Sequence, residues 1–168
     1  PVYRVAERRA FFDAYDQTGS TCTILQSAVD FDEYFRCYVV GREKVRVLSY
    51  DPTLPHHLRY GKEDAASSHT LHDHIVEACL KLCGALGYEF NMVEFATCNG
   101  EPYAIDFLNP VPDADVHSVG QTNFDWIVEN VAELAIRKAL SGEKTGAELR
   151  WDRFLDASSG ASKAAAIK

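Results

Sequence analysis

The amino-acid sequence predicts an α+β fold, a mainly antiparallel sheet with helices packed on one face. Three observations carry this expectation. Segments with helical periodicity and segments rich in β-branched and aromatic residues follow in the order helix, three strands, helix, two strands, helix. Consecutive strands are joined by short polar turns, as antiparallel neighbours are. At 168 residues with 46% hydrophobic content the chain can bury one core. One domain is therefore expected over residues 1–157, and the small-residue segment 158–168 should be a disordered tail.

Each element has its own signal. Residues 6–16 read as a short helix with Ala10, Phe11 and Tyr15 near one face, ended by Gly19 and Ser20. Residues 21–29, Thr-Cys-Thr-Ile-Leu-Gln-Ser-Ala-Val, read as a buried strand, followed by an acidic corner at Asp30, Asp32 and Glu33. Phe35–Val40 and Val45–Tyr50 form a hairpin around the polar turn Gly41–Lys44. Asp51-Pro52 and Leu54-Pro55 then break the pattern, and residues 51–68 form a long polar connection.

Ser67 or Ser68 caps a helix over residues 69–86, where Leu71, Ile75, Cys79, Leu82 and Leu86 keep amphipathic spacing and Gly87 is the stop. Residues 91–109 form a hairpin centred on Asn99-Gly100, and Pro110–Asp115 must be irregular. The clearest helix covers residues 124–140, with Ile127, Val131, Leu134 and Ala135 inward and Phe124 and Trp126 in the core.

Composition narrows the partners. The net charge is −8 and no basic run exists, which argues against nucleic acid and anionic membrane. No stretch approaches the roughly 18 apolar residues of a membrane span. Five cysteines, an odd number set among apolar neighbours, suit reduced thiols in the cytoplasm, and Cys79 and Cys83, one helical turn apart, suit core packing. His69 and His72 are three apart, but His74 lies off their face and no third ligand or Cys pair stands at a diagnostic distance for zinc.

The chemical centre lies in the hairpin around Asn99-Gly100. Glu94 and Asp106 sit inside its apolar strands, and a carboxylate there needs a partner because an unpaired buried charge is costly. A divalent metal is one such partner; a surface hairpin with solvated acids on one face is the plainer alternative. Parity tests the two. A plain two-residue loop pairs Cys98 with Glu101 and Val93 with Asp106, sending the acids to opposite faces. A metal site therefore requires a three-residue loop or a bulge, with Asn109 as a further neutral oxygen.

The segments Leu25–Gly41, Val93-Glu94 and Gly100–Pro110 together resemble the C-terminal half of an ATP-grasp domain, in the branch of ribosomal-protein glutamate ligases and glutathione synthases. The resemblance covers roughly residues 20–140. It implies that Gln26, Ser27 and Ala28, at a strand end, form the hinge whose backbone reads adenine, and that Asp32 or Glu33 meets the ribose hydroxyls. It implies that Arg36 contacts phosphate and the acyl-phosphate intermediate, and that Glu94, Asp106 and Asn109 bind Mg²⁺, as one ion or two, on ATP. The family usually has an acid where Ser27 stands, and it spaces the second acid and the Asn by two residues. Here Asp106 and Asn109 are three apart, so either Leu108 or Asn109 occupies the ligand slot.

The implied activity is ATP-dependent ligation of a small-molecule or peptide carboxylate to an amine or thiol; a homo-oligomer is compatible with it. The chain opens at Pro1 and lacks the family's glycine-rich loop and N-terminal lysines, so it is expected to be a fragment that binds nucleotide weakly and is inactive alone. Without the resemblance, Arg36 could simply pair with Asp32 or Glu33; Arg59, Tyr60 and Lys62 either reach substrate or phosphate in the intact enzyme or, the preferred reading, are ordinary loop residues. The rival function is a non-catalytic protein-interaction domain on the same scaffold.

Overall fold

A computed structural model describes residues 2–63 and 68–142. The chain divides into two compact units, Pro1–Asp30 and Phe31–Lys168. In the first, helix α1 (Arg8–Gln17) buries no residue and carries a Phe11–Tyr15 ring stack at 6.0 Å. Residues 21–29 are not the strand that their β-branched content predicts. They have no regular structure, and residues 21–28 are exposed. β-propensity describes fit to a half-buried pleated surface, and among the described residues of the first unit there is no strand to pair with.

The second unit is built on a five-stranded antiparallel sheet in the order β3-β2-β1-β4-β5. The strands are β1 (Glu33–Val40), β2 (Lys44–Tyr50), β3 (Tyr60–Glu63), β4 (Phe90–Cys98) and β5 (Glu101–Asn109). Helix α2 (His69–Leu86) follows β3, and a short turn α3 (Val116–Val119) leads into α4 (Gln121–Ser141). The α+β class and the antiparallel sheet match the sequence reading. The placement of the helices does not: they cover both faces of the sheet, not one. Leu71, Ile75, Cys79 and Cys83 of α2 pack on Phe35, Cys37, Val39, Val93 and Phe95. Val119 and Ile127, from α3 and α4, pack on Tyr38, Leu48 and Met92. The physical cause is that β1 is apolar at both parities, so each face needs a cover.

Local signals end the helices where expected. The Ser68 hydroxyl accepts the Leu71 amide at 3.1 Å as the α2 N-cap, and Gly87 closes the helix at φ +72°. Cys83, not Leu82, completes the buried stripe. In α4, Ile127 and Leu134 are buried as expected, whereas Ala135 is exposed. The polar connection 51–68 contains a 3₁₀ turn at His56–Leu58 and the edge strand β3. All five cysteines are free thiols, with Cys37, Cys79 and Cys83 buried. Among the described residues no helix is long and apolar enough to cross a membrane. The expected tail at 158–168 lies outside the described residues.

Candidate functional site

The hairpin between β4 and β5 turns on two residues, not three. Cys98 pairs with Glu101, and Asn99 and Gly100 have φ of +53° and +79°, the pattern of a type I′ turn. With that loop alone Glu94 and Asp106 would point apart. Instead the ladder shifts by one residue after Phe95↔Ala104, so that Glu94 pairs directly with Asp106. The bulge brings the two acids onto one face. A second shift makes Met92 the partner of Asn109. Met92 and Glu94 share a face by strand alternation, so the second bulge absorbs the extra residue between Asp106 and Asn109 and favours Asn109 over Leu108.

Asn91 supports this second shift. Its side chain is fully buried; it donates to the Phe107 carbonyl at 2.9 Å and accepts the Asn109 amide at 3.0 Å. It therefore satisfies two backbone groups near the interrupted ladder. Sequence reasoning assigned Asn91 no role. The available signal was one amide residue in the otherwise apolar run Phe90–Val93.

On the same face, Arg36 of β1 lies opposite Glu94. Arg36 Nε donates to Glu94 Oε1 at 2.8 Å, and the two side chains are only 14% and 15% exposed. The Tyr34 hydroxyl donates to Glu94 Oε2 at 2.5 Å. Arg36 thus pairs across the sheet with Glu94, not with Asp32 or Glu33. Its guanidinium lies 4.6 Å from the Tyr50 ring centroid and 5.6 Å from that of Tyr60, both cation–π distances. Arg36 Nη1 also donates to the Tyr60 hydroxyl at 2.6 Å.

The network continues inward. The Tyr38 hydroxyl donates to the Asp113 carbonyl at 2.6 Å and lies 3.1 Å from the Tyr60 hydroxyl. Because Tyr38 has one proton, Tyr60 is the donor between the two phenols. Burial raises the Tyr34 pKa, and its hydrogen bond to the Glu94 carboxylate adds to this. Burial opposes the charge on Arg36, but Tyr60, Glu94 and Tyr50 outweigh it and raise its pKa. Burial also raises Tyr38 and Tyr60. Tyr60, expected to be an ordinary loop residue, is a central member of the site, and only tertiary pairing of the short strand β3 reveals it.

The other candidate residues are placed as follows. Asp32 Oδ2 accepts the Asn99 amide at 2.8 Å, fastening the hairpin turn. Asp32, Glu33, Tyr34 and Tyr50 line one cleft of about 420 Å³. Gln26, Ser27 and Ala28 are exposed and irregular, so the strand end expected there is absent, and they belong to the first unit. Asp106 is exposed, with Oδ1 3.3 Å from the Leu108 amide. Among the described residues no group of three His, Cys, Asp or Glu side chains converges on a metal position. The hard-oxygen side chains that the register brings to this part of the sheet are the carboxylates of Glu94 and Asp106 and the amide of Asn109.

Neither a protein-family profile nor a curated protein sequence matches the chain. Solved structures do. D-alanine–D-alanine ligase from Bacillus anthracis, in complex with ATP, superposes with a TM-score of 0.65 over 83% of this chain and 50% of that one, at 13% identity. A second structure of the B. anthracis ligase gives a TM-score of 0.58 over 83% and 51%, also at 13% identity. The chain therefore spans about half the length of the ligase it resembles. At this identity the likeness is one of fold alone.

Proposed function

We propose that this chain is the C-terminal, nucleotide- and Mg²⁺-binding part of an ATP-dependent ligase that activates a carboxylate as an acyl phosphate for attack by an amine or thiol. The observation that carries the reading is the pair of register shifts in β5, which align Glu94, Asp106 and Asn109 on the face that presents Arg36. Likeness in fold to an ATP-bound ligase supports it.

In this reading Glu94, Asp106 and Asn109 hold Mg²⁺, which offsets phosphate charge when bound. Tyr50 and Tyr60 hold the Arg36 guanidinium in one orientation. Both Glu94 oxygens are engaged, by Arg36 and Tyr34, so Glu94 would have to release Arg36 to hold a cation, and Arg36 would then be available to phosphate. Asp32 and Glu33, on the cleft wall beside Tyr34, accept the ribose hydroxyls. Because this chain spans half of such a ligase, it binds Mg·ATP weakly and turns nothing over alone.

The closed Arg36–Glu94 pair also favours a second reading, a non-catalytic interaction domain in which these acids are structural. Isothermal titration with Mg·ATP separates the two. The ligase reading expects a Kd of roughly 0.1–1 mM, abolished by Asp106→Asn, an exposed substitution that spares the fold. Nanomolar affinity for this chain alone contradicts the weak-binding expectation, and binding indifferent to Asp106→Asn favours the second reading.

A further inference from the structure

Among the described residues the outer face of α4 is apolar and uncovered. Val128, Ala132, Ala135, Ile136, Ala139 and Leu140 are all exposed, Ile136 to 61% and Leu140 to 83%, opposite the buried Ile127 and Leu134. Their three-to-four spacing makes a continuous stripe along a 21-residue helix. Three of the six are alanines, which let another helix approach closely.

The charges beside this stripe indicate what covers it. Glu129 and Glu133 lie toward the N-terminal half of one flank and Arg137 toward its C-terminal half. A two-fold axis between antiparallel helices sets like flanks against each other in opposite directions. With the axis at the midpoint between Val128 and Leu140, Arg137 of one copy lies level with Val131 of the other, between Glu129 and Glu133. Acid therefore meets base on both sides of the axis. Glu133 and Arg137 each make one ion pair within the chain, to Lys44 at 2.5 Å and to Glu43 at 2.6 Å, and both remain about half exposed. Arg137 keeps unused donors, and among the described residues Glu129 has no hydrogen-bond or ion-pair partner.

We infer that α4 is a self-association surface, and that its occupant is α4 of a second copy of this chain, packed antiparallel. A helix pair about 30 Å long is a small interface, so the dimer is expected in the micromolar range and is weakened by salt.

Sedimentation equilibrium of the 168-residue chain over about 1–300 µM should show reversible monomer–dimer exchange. Ile136→Glu and, separately, Leu140→Glu replace exposed side chains, so circular dichroism should be unchanged while the protein stays monomeric throughout. Glu129→Arg and Arg137→Glu should each weaken self-association by about tenfold, and an equimolar mixture of the two should recover it as a heterodimer. A wild-type chain that is monomeric at every concentration overturns the inference, whether residues 143–168 or another protein covers the face. A dimer that survives both Ile136→Glu and Leu140→Glu overturns it equally.

Discussion

Glu94 and Asp106 face each other across β4 and β5 although the two-residue turn at Asn99-Gly100 would set them on opposite faces. One residue of slip in β5 reconciles the turn with the site. The hairpin thus combines a low-strain I′ turn with a local break that aims two carboxylates the same way.

Asn91 should be the most sensitive single position supporting this geometry. Asn91→Ala removes three hydrogen bonds inside the protein, one of them a weak one to Cys83 Sγ, and leaves the Phe107 carbonyl and the Asn109 amide without these partners. A loss of about 2–4 kcal/mol is expected in urea unfolding, with faster hydrogen exchange at Asn109. A loss below about 0.5 kcal/mol would mean that the bulge holds without it.

The Arg36–Glu94 pair should behave as a coupled unit, because both partners are largely buried and cross-strand neighbours. A double-mutant cycle with Arg36→Met and Glu94→Gln is expected to give a coupling energy of about 1–3 kcal/mol. Either single change strands a half-buried partner, so the double variant should be more stable than the sum of the two losses predicts. Strict additivity would contradict the pairing.

Stability should fall in alkali. Tyr34, Tyr38 and Tyr60 have pKa values raised above the ordinary tyrosine value, so each holds its proton more tightly folded than unfolded. Below about pH 10 both states are protonated and the stabilisation is complete. Above it the unfolded chain loses protons first, and stability declines by up to about 1.4 kcal/mol per pH unit for each such tyrosine. Urea midpoints between pH 8 and pH 11 on the wild type and Tyr34→Phe test this; the variant should show the shallower decline.

Much of this was legible in the residue order. The periodicity of Leu71, Ile75 and Cys79, the cap at Ser68 and the stop at Gly87 placed α2 to the residue, because those signals are local. Glu94, Asp106 and Asn109 were identifiable as odd polar positions in an apolar hairpin, and parity correctly stated that a two-residue loop would need a bulge to unite the acids. Residue order does not show the support of the second shift, where the Asn91 amide pairs with backbone sixteen and eighteen residues away. Tyr60 was hidden for a similar reason, since its partners Arg36 and Tyr38 lie on another strand. The misplaced strand at residues 21–29 and the one-sided helix layer share a cause: composition records how apolar a segment is, not what lies against it.

The central claim is that the realigned face of β4 and β5 binds a nucleotide-bound divalent ion. Paramagnetic broadening by Mn²⁺, followed in the amide spectrum of the 168-residue chain with and without ATP, tests it most directly. Broadening should centre on Glu94 and on Asp106 to Asn109, be stronger with ATP present and be reduced by Asp106→Asn. Broadening confined to other acids, with those amides unchanged at saturating Mn·ATP, would contradict it.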